Sequence, residues 1–454
     1  MPFRPRPLRI AIAASALLLS ASPVLAQSLP DLLRIVIDRH PDVAVARAIL
    51  DANGDVVRQA YSPFLPRLGL QHDEARASNR PLGVVNAQQT RQTAVYLQWN
   101  LFNGGGDLAR LNSAENTANA SQAQLEDARE ELALLLTQAY IAVLTADQQV
   151  LNAKELVADL TALAATVKAR VESGASPDNE LFQATSKLLQ AKNLLALAQG
   201  RQAGARNRLG AVAGVKVNWV VDPGLNSQVV TRRLDELIAI AHASNPTLMA
   251  AESRARAAGA DTRIAQAEWL PKVQFEARKN VTLDGPIQLQ SGLERETLLS
   301  VTYIVPLGGA TYFRWTELGS RKAAADATVE SVKRRLEAEL GETREILAEQ
   351  RAIARQIEER VAASVRVFDA YRLQYEAGKR SLIDLIIVRE DLYASQESLI
   401  ANIAEQRVGT ARVHRNLGQL RAVIFDPAAA NKSLALPGTN DRDAPIVSDV
   451  LKRG

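Results

Sequence analysis

Ala377-Gly378-Lys379-Arg380-Ser381-Leu382-Ile383-Asp384-Leu385 is a short break in a stretch that carries no proline between Pro306 and Pro427. Apolar positions on either side keep near-heptad spacing, so the stretch reads as two long helices folded back at Gly378. The break has a twin in Arg170-Val171-Glu172-Ser173-Gly174-Ala175-Ser176-Pro177-Asp178-Asn179-Glu180-Leu181, with Gly174 lying 204 residues before Gly378. Glycine supplies the positive φ that ends a helix, and the Ser-Pro-Asp after Gly174 can start the next one. Two long helical hairpins with polar, charged tips are the framework, and the tips are where function is expected.

Outward from the tips, the chain repeats itself. Leu29-Pro30-Asp31-Leu32-Leu33-Arg34-Ile35 followed by His40-Pro41 recurs as Leu234-Asp235-Glu236-Leu237-Ile238-Ala239-Ile240 followed by Asn245-Pro246, with Pro41 and Pro246 205 residues apart. Phe64-Leu65-Pro66-Arg67-Leu68 recurs as Trp269-Leu270-Pro271-Lys272-Val273 at the same offset. A period this long, carried by matched breaks, indicates an internal duplication. Each half, 27–230 and 231–425, reads as a helix, a proline break, two strands, a long helix, a glycine tip and a returning helix. Residues 426–454 form a C-terminal tail.

Strands are predicted near 67–77, 93–101, 273–283 and 297–305. Val95, Leu97, Trp99 and Leu101 alternate with Ala94, Tyr96, Gln98 and Asn100, and Val273, Phe275, Ala277, Val281 and Leu283 alternate with Gln274, Glu276, Arg278, Asn280 and Thr282. Strands of about 9–11 residues, apolar on one side and polar on the other, fit a membrane barrel with a wet lumen. A soluble hairpin with one solvated face has the same pattern. The outgoing strands end in Asn103-Gly104-Gly105-Gly106 and Leu307-Gly308-Gly309. Neither matches a phosphate loop, because no Gly-Lys-Ser/Thr follows. Gly104, Gly105, Gly308 and Gly309 instead permit a sharp turn from strand into helix.

The first residues set the compartment. Arg4, Arg6 and Arg9 precede the apolar run Ile10–Leu19, and Val24-Leu25-Ala26 ahead of Gln27 places small residues where a signal peptidase needs them. Residues 1–26 are therefore expected to be a secretory signal peptide, since the run is too short to span a bilayer. There is no cysteine, so disulfides and a lipid-anchored N-terminus are not expected. Aromatic residues are 4% of the chain while the hydrophobic set reaches 47%, much of it alanine. Such helices suit close helix-on-helix packing along a line. The net charge is +4, and three of those positive charges sit in the first 26 residues. A nearly neutral remainder lacks a nucleic-acid footprint. His40, His72, His242 and His414 show no metal spacing, so no metal, cofactor or enzyme activity is expected.

The segment 107–172, as continuous helix, extends about 100 Å, several bilayer thicknesses. It must leave the membrane and cross an aqueous compartment. Four strands cannot close a barrel, and lipid forbids open edges, so several chains must share one barrel. Three chains with twelve strands, a homotrimer, is the simplest closure that leaves a channel.

In this order of elements the chain resembles the TolC-like outer-membrane factors, channel-tunnels of Gram-negative bacteria. The resemblance covers about residues 29–420 and rests on the duplicated plan, the Leu101-Phe102-Asn103-Gly104-Gly105 and Leu307-Gly308-Gly309 turns, and the tip from Tyr375 to Leu385. It implies a mixed α and β fold: a trimeric antiparallel β-barrel in the outer membrane, four strands per chain, continued by an α-helical barrel through the periplasm. An equatorial belt from parts of 211–233 and 421–454 would wrap the tunnel. The resemblance also implies partners: a periplasmic adaptor, an inner-membrane transporter driven by ATP or protons, and outer-membrane lipid. Residue by residue, Tyr375 and Arg380 match the family's gate, Glu180 and Asn179 match the first repeat's gate acid and its polar neighbour, and Asp384 matches the first of two acidic entrance positions. The second of those positions is Ile387, which leaves one carboxylate per chain in the ring. From the residues alone, each of these side chains also reads as a solvated polar group at a helix end.

A periplasmic coiled-coil scaffold or adaptor without a pore accounts for the hairpins and the export signal. It leaves the alternating strands and their glycine exits without a role. The missing lipid-anchor cysteine leans towards outer components that serve either drug efflux or one-step protein secretion, and the cargo stays open between them.

Overall fold

The computed structural model describes residues 28–79, 86–225, 232–284, 295–305 and 307–426. The expected signal peptide, most of the expected tail and parts of the expected belt lie outside the described residues.

Nine α-helices and four strands are described. In order they are α1 (Leu29–Ile37), α2 (Pro41–Tyr61), β1 (Arg67–Asn79), β2 (Asn86–Asn103), α3 (Gly106–Glu172), α4 (Asp178–Ala213), α5 (Leu234–Ser244), α6 (Pro246–Ala267), β3 (Lys272–Asp284), β4 (Arg295–Thr302), α7 (Ala310–Glu376), α8 (Leu382–Asn416) and α9 (Leu420–Phe425). The short helices start where local chemistry supplies partners for free backbone N–H groups. Ser28 caps α1 by accepting from Asp31 N, and Asn245 Oδ1 caps α6 by accepting from Leu248 N at 3.0 Å, with Pro246 at the first helical position.

The two longest helices, α3 and α7, have 67 residues each. At 1.5 Å per residue each spans about 100 Å. No helix among the described residues is long and apolar enough to cross a membrane, which leaves open what the strands do. The tips are helix C-caps of one type. Gly174 (φ 76°) ends α3, with Ala175 N donating to Arg170 O at 2.7 Å and Gly174 N donating to Val171 O at 2.9 Å. Gly378 (φ 69°) ends α7 with the matching pair, Lys379 N to Gln374 O at 2.8 Å and Gly378 N to Tyr375 O at 3.0 Å. These are Schellman caps, which need a left-handed residue at that place.

Packing along the rod comes in separate clusters rather than one globular core. One joins Leu29, Leu32, Leu33 and Val36 of α1 to Leu132, Leu136 and Tyr140 of α3, Leu209 of α4 and Ile424 of α9. A second lies at the tips and joins Leu156, Leu160 and Val167 of α3, Ala184 and Ala191 of α4, Tyr375 of α7, and Leu382, Leu385 and Ile386 of α8. A third joins Leu237 of α5 to Leu336, Leu340 and Leu347 of α7 and Val413 of α8. Ala184, Ala191 and Ala198, seven residues apart on α4, are all buried, so the alanines let the helices approach closely.

The four strands form one antiparallel sheet in the order β1-β2-β3-β4. Two strands differ in extent from the sequence reading. β2 begins at Asn86 rather than near 93, and β4 ends at Thr302, so residues 303–305 leave the ladder before the helix. Strict alternation along 273–283 also fails. A register shift at Thr93/Ala94 pairs Asn280 with Ala94 and Thr282 with Thr93, so Val281 is an extra residue and the parity of the last strand turn reverses. A second shift makes Leu101 the extra residue, and Phe102 takes the place opposite Val273.

Candidate functional site

Two regions carry the candidate residues: the hairpin tips and the strand-to-helix junction. At the tips, Tyr375 is almost fully buried in the last turn of α7. The Arg170 guanidinium, from the facing end of α3, lies 4.6 Å from the Tyr375 ring centroid and donates to Glu376 O at 3.3 Å. Burial pushes the Tyr375 hydroxyl pKa up, Arg170 opposes that shift, and the Glu180 carboxylate adds to it. Tyr375, Arg170 and Glu180 thus share one electrostatic neighbourhood.

Arg380 sits over the Tyr371 ring at 4.1 Å, donates from Nε to Gln374 Oε1 at 3.1 Å, and places Nη1 3.9 Å from Asp384 Oδ2. All of its partners belong to its own hairpin. Among the described residues no hydrogen bond, ion pair or ring contact joins Arg380 to Glu180 or Asn179. Ser381 caps α8 by accepting from Asp384 N at 3.2 Å, which fixes the backbone of Asp384. Two links between the hairpins were not singled out in the sequence. The buried Arg389 of α8 donates to Asp159 Oδ2 of α3 at 2.6 Å, and Lys187 of α4 meets Glu390 of α8 at 2.9 Å. Helical polar residues carry no local mark of their partners, whereas Arg170 stood out only as part of the tip.

At the junction, Gly104 (φ 61°), Gly105 (φ 81°) and Gly309 (φ 72°) are left-handed and turn the chain from strand to helix. Gly308 lies in the turn without a positive φ, so one left-handed glycine suffices in the second repeat where the first uses two. Gly104 also admits a close approach: a Cβ there would overlap Ala267 O and stand 2.9 Å from Leu270 Cβ. Aromatic side chains gather at this level. Trp99 Nε1 donates to Phe64 O at 3.0 Å, the Tyr61 and Phe64 rings lie 6.5 Å apart, and Tyr312 lies 5.6 Å from Phe313 and 6.2 Å from Trp315.

The sheet above this level has two chemistries. Pairings place Leu68 opposite Leu97, Trp99 opposite Phe275, and Phe275 opposite Leu299 on one face. Leu68, Trp99 and Leu299 are exposed. On the other face Gln92 donates to Asn280 at 2.8 Å, and Arg278 approaches Asp73 at 3.9 Å. An exposed apolar face, an opposite polar face and two sheet edges unpaired among the described residues are what one part of a larger barrel presents.

The profile of the outer membrane efflux protein family matches residues 32–215 and 237–419, both repeats. The chain belongs to that family. Among curated relatives, Protein CyaE of Bordetella pertussis is 24% identical over 404 residues, covering 84% of this chain and 81% of its own length. Among solved structures, the outer membrane protein VceC of Vibrio cholerae has a TM-score of 0.72 at 17% identity, covering 86% of this chain and 96% of its own. The open state of the Neisseria gonorrhoeae MtrE outer membrane channel has a TM-score of 0.72 at 17% identity, covering 86% of this chain and 88% of its own. The resemblance read from the duplicated plan and the tip is thereby shown at the level of family and fold. Among the described residues no cluster of His, Cys, Asp or Glu could hold a metal ion.

Proposed function

We propose that this outer membrane efflux family member is the outer-membrane channel-tunnel of a tripartite export system. Three copies close a twelve-stranded barrel by joining β1 of one copy to β4 of the next, and the helical hairpins continue the passage through the periplasm. An inner-membrane transporter, driven by ATP or protons and bridged by a periplasmic adaptor, supplies the energy and the cargo, whether drugs or an exported protein. The observation that carries this reading is the direct connection, through the left-handed Gly104 and Gly105, of a two-faced sheet to the 67-residue α3. A soluble scaffold has no use for that exposed apolar face.

The gate in this reading lies at the tips. Tyr375 and Arg380, with Glu180 and Asn179 of a neighbouring hairpin, form polar links that docking releases, and Asp384 forms the acidic entrance ring. The links of the partly exposed Arg380 to Glu180 or Asn179 contribute about 0.2–1 kcal/mol each, weak enough to release and strong enough in threefold repetition to hold. Single-channel recording of the purified protein in a planar bilayer tests both pore and gate. Wild type is expected to show small steady steps, and Tyr375→Phe with Arg380→Ser larger ones. Equal steps in a correctly folded variant remove these residues from the gate. Failure of folded protein to insert removes the channel and favours the scaffold.

A further inference from the structure

On the apolar face of the sheet, the rows of paired residues change chemistry with distance from the helices. Near the junction Trp99 pairs with Phe275, and Phe275 with Leu299. The next row outward holds Leu68, Leu97, Ala277 and Thr297, and the row after it Leu70, Val95, Lys279 and Arg295. Lys279 and Arg295 are thus cross-strand neighbours, two exposed cations side by side. Like charges directly opposite each other repel, so this pair costs the isolated sheet stability. Neither side chain makes a hydrogen bond or ion pair among the described residues. Farther out on the same face the polar groups are satisfied. His72 Nδ1 lies 2.8 Å from Thr93 Oγ1, and Glu74 meets Arg91 at 3.6 Å, which cancels both charges. The uncompensated positive charge therefore sits at the Lys279–Arg295 pair, on the margin of the apolar rows.

A ligand for this place needs an anionic head and an apolar body. Val273, Phe275 and Ala277 continue the face from Lys279 towards the helices, a run of about 20 Å along the strand. Leu299 and Val301 flank them on β4 and are exposed, so an extended acyl chain finds apolar surface directly below the cations. A guanidinium fork beside an ammonium suits the several oxygens of a phosphate. We propose that Lys279 and Arg295 hold the phosphate of an anionic outer-leaflet lipid, whose acyl chains lie along Phe275, Ala277, Leu299 and Val301. This rests on the channel reading, which puts the apolar face in lipid and the sheet end remote from the helices at the outer surface. The bound phosphate relieves the repulsion between the two cations, so the lipid also joins β3 to β4.

The test titrates the full-length protein, purified in detergent and freed of lipid, with lipid A and with lipid A stripped of its phosphates, and counts bound lipid by native mass spectrometry. Lipid A should bind saturably and the stripped form more weakly by about tenfold or more, the scale of one hydrogen bond between charged partners. Inorganic phosphate at equal concentration should not displace lipid A. Lys279→Gln with Arg295→Gln should bring lipid A down to the level of the stripped form. Lys272→Gln removes an exposed cation from the polar face, where it pairs with Thr302, and should leave binding unchanged. Equal binding of the two lipids, unchanged affinity in the double variant, an equal loss in Lys272→Gln, or displacement by inorganic phosphate overturns the proposal. Extraction of the protein from membranes by carbonate or urea refutes the channel reading and the proposal together, whereas a retained protein that binds both lipids alike refutes the proposal alone.

Discussion

Gly214 and Gly418 close α4 and α8 at equivalent places in the two repeats, 204 residues apart, with φ of 64° and 67°. Their surroundings differ. A Cβ on Gly214 meets open space among the described residues, whereas one on Gly418 would overlap Ser244 O and stand 3.0 Å from Pro246 Cδ. Alanine at either position carries the left-handed penalty, about 1 kcal/mol. At Gly418 the α5–α6 junction must also retreat, which strains two bonds that seat it: Ser244 Oγ to Leu417 O at 2.7 Å and Asn245 Nδ2 to Asn416 O at 2.9 Å. At about 1 kcal/mol for each bond lost, Gly418→Ala should cost about 3 kcal/mol or more per chain. Thermal unfolding in one detergent at one scan rate, necessary because such transitions are often irreversible, should show a melting shift about three times larger for Gly418→Ala than for Gly214→Ala. Equal shifts would show that the close approach is not resisted and that only the φ matters. Retention of the wild-type midpoint by Gly418→Ala would refute the left-handed cap as well.

His414, buried in the last turn of α8, has its pKa lowered to about 4 by burial. Because the unfolded chain takes up that proton near pH 6.5 and the folded chain only near 4, stability is full above pH 6.5 and falls between the two values, by up to about 3 kcal/mol per chain. Denaturation midpoints from pH 7.5 to 4 should show that slope, and His414→Leu should reduce it; an unchanged slope places the titration elsewhere. Glu130 is a buried carboxylate that accepts from Leu420 N at 2.9 Å and Arg421 Nε at 3.0 Å, so it seats α9 against α3. Glu130→Gln turns one acceptor into a donor facing Arg421 and should cost about 1–3 kcal/mol, with α9 becoming the first site of limited proteolysis; cleavage at the wild-type rate would contradict the seating role. Asp384→Ala should weaken block of conductance by a trivalent cation added from the periplasmic side, and an unaltered block moves the entrance filter away from Asp384.

What could be read directly in the sequence was whatever depends on neighbours along the chain. The tips were legible because a Schellman cap is a local device, in which Gly174 and Gly378 need their φ whatever packs around them. Pro41 and Pro246 were legible as breaks for the same reason, and each stands at the first position of a helix. The sheet was legible as alternation, and it misled where the ladder shifts register, since the extra residues Leu101 and Val281 look like ordinary members of an apolar row. Gly418 passed unnoticed because its role depends on Ser244 and Asn416, which come together only when the second repeat folds.

The candidate gate shows the same divide at finer scale. Tyr375, Arg380 and Asp384 lie within ten residues and one turn geometry, so their grouping at one tip follows from the chain itself. Arg170 and Tyr375 are 205 residues apart and meet only because two hairpins of equal length end at the same level. Equal length is a consequence of the duplication: α3 and α7 each run 67 residues, so the two caps arrive together without any local signal. Once they do, the second tip cannot be shifted by a single residue without moving Tyr375 about 100° around the helix and out from under Arg170. A one-residue insertion in α7 between Leu347 and Phe368 should therefore separate Arg170 from Tyr375 while leaving the Gly378 cap intact. Chemical-shift or fluorescence probes on Tyr375 would report that loss, and an unperturbed Tyr375 environment would show that the tips find their register independently of helix length.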